Sequence, residues 1–182
     1  DDILVGDADD DTVYGGSGND RGFGGSGNDS MAGGEDDDVL RGGTGSDTFA
    51  FAGGSAASVA AGEGDDFVTG VLDATLLDLG LGSDTLDLSS DVGDVTITVS
   101  SDGSVGIDDG TVSIEGITGA DSVVGTAGTN TYAFAAGAAL AGSVSGSRVV
   151  LDYSNYSSPV TVDLTSGSAT GTGGVGNVVE LI

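Results

Sequence analysis

The sequence predicts an all-β fold in which a coil of short repeated strands leads into a less regular β region. Three observations carry this. A nonapeptide rich in glycine and aspartate recurs in phase from the first residue to Ala50. Further on, apolar residues alternate with a period of two, at Val95, Ile97 and Val99, then Val105 and Ile107, then Val112 and Ile114. Glycine supplies 36 of the 182 residues, which opposes long helices.

Charge is the first thing such a fold has to overcome. The chain carries 30 acidic residues against 3 arginines, with a formal net charge of -27. It repels itself, nucleic acid and anionic membranes. That balance with this much glycine ordinarily means disorder, yet 37% of the residues are hydrophobic. Something must neutralise the carboxylates before the apolar residues can collapse, and divalent cations fit. The chain has no cysteine and no histidine. Disulfides, thiolate sites, the usual zinc ligand, the usual general base and every histidine-dependent triad are therefore excluded. An oxygen-only donor set suits a hard cation, calcium before magnesium. No apolar run reaches the roughly 18 residues of a membrane-spanning helix. The opening "DDILVG" reads as the middle of a repeat, so a fragment or a processed piece is expected.

From Gly6 five consecutive nonamers read GDADDDTVY, GGSGNDRGF, GGSGNDSMA, GGEDDDVLR and GGTGSDTFA, and the preceding DDILV fits the end of one more. Position six is always aspartate: Asp2, Asp11, Asp20, Asp29, Asp38 and Asp47. Position eight is Leu4, Val13, Gly22, Met31, Leu40 and Phe49. Fainter copies follow at AGEGDDFVT, LGLGSDTLD, GITGADSVV and GTAGTNTYA, which begin at Ala61, Leu79, Gly116 and Gly125.

This G-G-x-G-x-D-x-U-x pattern resembles the RTX (repeats-in-toxin) nonapeptide family of type I secreted bacterial surface-layer, adhesin, toxin and hydrolase proteins. The segment Leu151–Gly171 also resembles stretches that flank such arrays. The resemblance implies a right-handed parallel β-roll, or β-helix, in which two nonamers make one turn and residue n stacks on n+18. A degenerate continuation or a small appended β region is expected to follow. Calcium is implied between stacked loops, held by loop carbonyls and the repeat aspartates. One side then stacks Asp2, Asp20 and Asp38; the other stacks Asp11, Asp29 and Asp47. That amounts to about four or more ions.

The residue chemistry agrees. Glycines at positions one, two and four (Gly16, Gly18, Gly25, Gly27, Gly34, Gly43 and Gly45 among them) admit positive φ and let carbonyls converge. Asp9 and Asp36 replace glycine at position four, where aspartate tolerates the left-handed backbone better than most residues and adds a carboxylate. Positions seven to nine form a short strand with its middle residue inward. Gly22 leaves a gap between Leu4 and Leu40 that the adaptable Met31 is expected to fill. For Asp66 and Asp84, metal ligand and turn cap are both open readings; Asp121 reads as a plain turn, and Asn130 supplies no carboxylate.

On one face the outward residues are Ile3, Val5, Arg21, Phe23, Val39 and Arg41, too apolar for simple solvation and holding two of the three arginines. Arginine and aromatic residues favour interfaces. Val5, Arg21, Phe23, Val39 and Arg41 are thus expected to pack on the second half of the chain or on a second copy, in a homo-oligomer or polymer.

Three segments are expected: 1–54, the calcium-binding roll; 55–90, degenerate repeats and a connecting loop; 91–182, a β-rich region. Within the last, Phe134–Gly142 reads as a helical turn, and SRVVLDYS and SPVTVDLTSG as strands. No enzymatic activity is expected, since the periodicity accounts for the carboxylates. The expected function is a calcium-binding segment of a secreted, self-assembling surface protein that folds outside the cell. The alternative is the C-terminal secretion and folding module of a larger hydrolase or toxin.

Overall fold

The computed structural model describes residues 1–51, 58–70, 76–156, 159–163, 168–169, 174–175 and 178–181. Short strands alternate between two walls. The first wall stacks β1 (Ile3–Ala8), β3 (Arg21–Ser26), β5 (Val39–Thr44), β7 (Ser58–Glu63) and β9 (Leu76–Asp78) in that order, all parallel. The second wall stacks β2 (Thr12–Ser17), β4 (Ser30–Glu35), β6 (Thr48–Ala50), β8 (Phe67–Thr69) and β10 (Asp84–Asp87). It continues into β14 (Ala120–Val124), β16 (Ser143–Ser145) and β20 (Gly174–Val175). The molecule is a parallel β-solenoid with an additional mixed sheet.

The register is the expected one. Leu4 stacks on Gly22 and Gly22 on Leu40, while Val13 stacks on Met31 and Met31 on Phe49. A single residue inserted between Phe49 and Val59 then lengthens the step on both walls to 19: Leu40 meets Val59 and Phe49 meets Val68. The step returns to 18 where Val59 meets Leu77 and Val68 meets Leu86. Each turn buries the middle residue of its strands, so Met31, Leu40, Phe49, Val59, Val68, Leu77 and Leu86 form one column of core. The gap at Gly22 is closed as expected: a Cβ there would stand 2.9 Å from Leu40 Cδ2, 3.1 Å from Val13 Cγ1 and 3.2 Å from Met31 Cε.

After β10 the chain leaves the repeat and builds a third sheet, ordered β13 (Ser113–Ile117), β12 (Val105–Asp108), β11 (Val95–Val99), β15 (Thr129–Phe134), β17 (Arg148–Asp152) and β21 (Val178–Leu181). The strands β11, β12 and β13 form an antiparallel meander. From β11 onward the sheet is parallel. The first wall ends where Asp78 bridges Thr118, just past β13. The region from 91 onward is thus a continuation of the solenoid with a meander inserted into it, because β14, β16 and β20 extend the second wall. A small separate sheet pairs β18 (Val162–Asp163) with β19 (Ser168–Ala169).

The expected helical turn at 134–142 is corrected to a hydrogen-bonded turn, in which Ala138 N–H donates to Ala135 O at 2.9 Å. Ala138 and Leu140 are buried there, and the chain returns to strand at Ser143. Residues 52–57 and 71–75, and parts of 157–182, lie outside the described residues.

Candidate metal centre

The loops between walls place the repeat aspartates along two edges. Each position-six aspartate ends its loop just before the next strand, and its Oδ1 accepts the N–H of the aspartate one turn earlier. Asp2 N–H donates to Asp20 Oδ1 at 2.6 Å, and Asp20 N–H to Asp38 Oδ1 at 2.9 Å. On the other edge Asp11 N–H donates to Asp29 at 2.9 Å, Asp29 to Asp47 at 2.8 Å, Asp47 to Asp66 at 2.8 Å and Asp66 to Asp84 at 2.8 Å. The second ladder then crosses 37 residues: Asp84 N–H donates to Asp121 Oδ2 at 3.0 Å. Asp121 therefore extends a ladder, where the sequence suggested a plain turn.

The two edges are unequal. Among the described residues the first edge supplies three carboxylates, Asp2, Asp20 and Asp38, and the sequence has Ala57 and Thr75 just before Ser58 and Leu76. The second supplies six.

Burial makes these ladders demanding. Asp20, Asp29, Asp38, Asp47, Asp66 and Asp84 are each at most 2% exposed. One oxygen of each is satisfied by a backbone N–H. The other is buried without a hydrogen-bond partner in Asp11, Asp20, Asp29, Asp47, Asp66 and Asp84. An unsatisfied buried carboxylate oxygen is costly, and a whole column of them more so. The orphaned oxygens do not face empty apolar space. A Cβ built on Gly6 would stand 2.5 Å from Asp11 Oδ2 and 2.6 Å from the carbonyl oxygen of Gly24 one turn on. At Gly15 it would stand 2.5 Å from both Asp20 Oδ2 and Gly33 O. Carboxylate and next-turn carbonyl thus share one cradle, an all-oxygen donor set that suits a hard cation.

Backbone conformation supports the cradles. The glycines singled out in the sequence, Gly16, Gly18, Gly25, Gly27, Gly34, Gly43 and Gly45, all have φ between 100° and 130°. Two show why no side chain fits: a Cβ on Gly43 would overlap the Gly25 carbonyl, and one on Gly45 the Gly27 carbonyl. Asp9 and Asp36 take φ of 78° and 75°, as their position requires, and so does Asp7 at 77°. Asp36 Oδ2 accepts Gly18 N–H at 3.1 Å across a turn. Asp9 is exposed.

Position five is a donor-acceptor ladder that the sequence reading passed over. Asp1 Oδ1 accepts Asn19 N–H, Asp10 accepts Asn28, Asn28 accepts Ser46 and Asp65 accepts Ser83, at 2.8–2.9 Å. It runs opposite to the position-six ladder. The signal was available, since position five reads Asp, Asp, Asn, Asn, Asp, Ser through the six repeats.

Electrostatics follow from this geometry. Burial raises the pKa of Asp38, Asp47, Asp66 and Asp84, against the opposing effect of the N–H each accepts; neighbouring carboxylates raise them further. Asp66 is raised to about 6. The carboxylates of the meander behave oppositely. Asp102 bonds Ser104 and Asp109 bonds Thr111 and Val112 within their own turns, and these bonds lower both pKa values. Among the described residues no three acidic side chains gather as a ready-made cluster, so any cradle must rely on backbone carbonyls as well.

The outward row of the first wall stands open. Ile3 and Val5 are 71% and 59% exposed, Arg21 and Arg41 are exposed, and Phe23 and Val39 are half-buried. Among the described residues the third sheet continues from the far end of the solenoid and leaves Val5 exposed.

A family model for the RTX calcium-binding nonapeptide repeat, four copies long, matches residues 1–31 and again 23–56. The N-terminal region is therefore a segment of RTX calcium-binding repeats, of a kind typical of secreted proteins. No curated protein and no solved structure matches the chain significantly.

Proposed function

We propose that these RTX repeats make the chain a calcium-driven folding element of a secreted, self-assembling surface protein. One observation carries the calcium reading: along the longer ladder, Oδ2 of each of the five aspartates from Asp11 to Asp84 is buried without a hydrogen-bond partner. Without cations the stacked carboxylates repel and the glycine backbone resists ordering. With calcium, binding free energy becomes folding free energy. Residues 52–57 and 71–75 aside, the geometry at Asp47–Asp66 and Asp66–Asp84 repeats that at Asp11–Asp29, so the ladder would hold about six ions along the two edges. Extracellular calcium modules bind at roughly 0.1–1 mM, so the chain would stay loose inside a cell and fold outside.

Composition supports a structural rather than a catalytic part: three arginines, no histidine and no cysteine. Assembly would use the open row of Ile3, Val5, Arg21, Phe23, Val39 and Arg41, which holds two of the three arginines of an acidic chain, against a second copy. Circular dichroism and light scattering through a calcium titration test both parts. Strand signal should rise cooperatively with calcium and not with equal magnesium, and EGTA should reverse it. Scattering should then rise after the strand signal. Strand signal at full strength in EGTA would overturn the reading.

A further inference from the structure

The fainter repeat at Gly125–Ala133 carries Asn130 where the repeats carry aspartate. It folds into the same kind of loop. A Cβ on Gly125 would collide with the Asn130 amide, as one on Gly42 would with the Asp47 carboxylate. Asn130 is fully buried. Yet none of its polar atoms is orphaned. Its Oδ1 accepts Thr126 N–H at 2.7 Å. Its Nδ2 donates to Thr126 O and Gly128 O, both at 3.1 Å, and reaches Arg148 O on the next turn at 3.4 Å. In the repeats, loop carbonyls and a carboxylate oxygen converge and need a positive charge between them. Here an amide nitrogen already faces the carbonyls and ties one turn to the next.

The surroundings agree on independent grounds. Past Asp121 the edge is continued by a hydroxyl, Ser122 Oγ, which accepts Ser143 N–H at 3.0 Å. The core also changes. Strands β1 to β6 each bury at most one apolar side chain, whereas β11 buries Val95, Ile97 and Val99, and β15 buries Tyr132 and Phe134. Tyr132 donates to Ser145 O at 2.6 Å, and Phe134 stacks on Tyr153 with centroids 4.9 Å apart. More apolar area is buried per turn, so less is left for a metal to supply.

We infer that the calcium dependence of this chain stops at Asp84, the last ladder aspartate with an orphaned oxygen, and that residues 95–156 fold without metal, with the Asn130 amide taking the cation's part. The boundary rests on the calcium reading of the repeats; the metal-independence of 95–156 does not. Hydrogen–deuterium exchange on the whole chain tests it. In excess EGTA, 95–156 should exchange at least about tenfold more slowly than 1–51, and added calcium should protect 1–51. Equally fast exchange of 95–156 in EGTA would overturn the inference while leaving the calcium reading intact. Protection of 1–51 in EGTA would remove both the boundary and the calcium reading. Asn130→Asp should add one calcium per chain and make protection of 129–134 and 148–152 calcium-dependent. A variant whose protection there is unchanged by EGTA, or is not restored by calcium, would overturn the part given to the amide.

Discussion

Asp29 N–H donates to Oδ1 of Asp47, 2.8 Å away on the next turn, while Oδ2 of the same Asp47 is buried with no hydrogen-bond partner. One carboxylate therefore does two things: it locks two turns of backbone together and presents a desolvated negative oxygen to the space between them. Substitutions that keep the acceptor but remove the charge separate these two tasks.

Asp29 sits mid-ladder, accepting from Asp11 and donating to Asp47. Asp29→Asn retains an acceptor but removes the charge, so it should raise the calcium midpoint. Asp29→Ala also orphans the Asp11 N–H and should cost a further ~1–3 kcal/mol in calcium. Asp102→Ala removes only a local turn bond and should cost about 0.5 kcal/mol or less. Urea melts at fixed calcium check the order; equal effects at 29 and 102 would defeat the stacking scheme.

Gly43 and Gly137 both have positive φ, 124° and 79°. An added Cβ meets nothing within 4 Å at Gly137 but overlaps the Gly25 carbonyl at Gly43. Gly137→Ala should cost only the left-handed penalty, about 1–2 kcal/mol. Gly43→Ala should cost clearly more and should lower calcium affinity, read by melts and calcium titration.

The pH response should change sign with calcium. Asp38, Asp47, Asp66 and Asp84 have folded pKa values above the ordinary carboxylate value, Asp66 at about 6. A raised value means the folded form holds its proton more tightly than the unfolded chain. The resulting stabilisation is complete below the unfolded value of about 3.9 and is lost as pH rises through each folded value, which for Asp66 is about 6. In EGTA, acidification from neutral pH should therefore raise the strand signal of the repeats. In calcium, protons compete for the same oxygens, and acidification should lower it. Circular dichroism across this range in both buffers checks the crossover.

If the open row of the first wall carries assembly, Arg21→Glu together with Arg41→Glu should abolish calcium-dependent light scattering while leaving the circular dichroism spectrum unchanged. Both side chains are exposed and neither lies in a cradle. Undiminished scattering would rule this face out.

The two-wall coil of the repeats was legible because its contacts recur at fixed spacing. Leu40 finds Gly22, and Asp38 finds Asp20, at 18 residues, so period alone names the partner. The sequence by itself thus determined the two-wall coil, the inward column from Val13 to Phe49, and the aspartates of its edges. The tertiary structure decided what happens once the period breaks. The one-residue insertion before Ser58 still leaves Asp47 on Asp66, while among the described residues the other edge has its last carboxylate at Asp38. The 37-residue step that returns the chain to Asp84 brings Asp121 onto the ladder, and the stacking of 125–130 against the next turn makes Asn130 a crosslink. No spacing announces these, because after an insertion the partner of a residue is set by which strand edge is open to accept the next strand, and that depends on the packing of the whole stack.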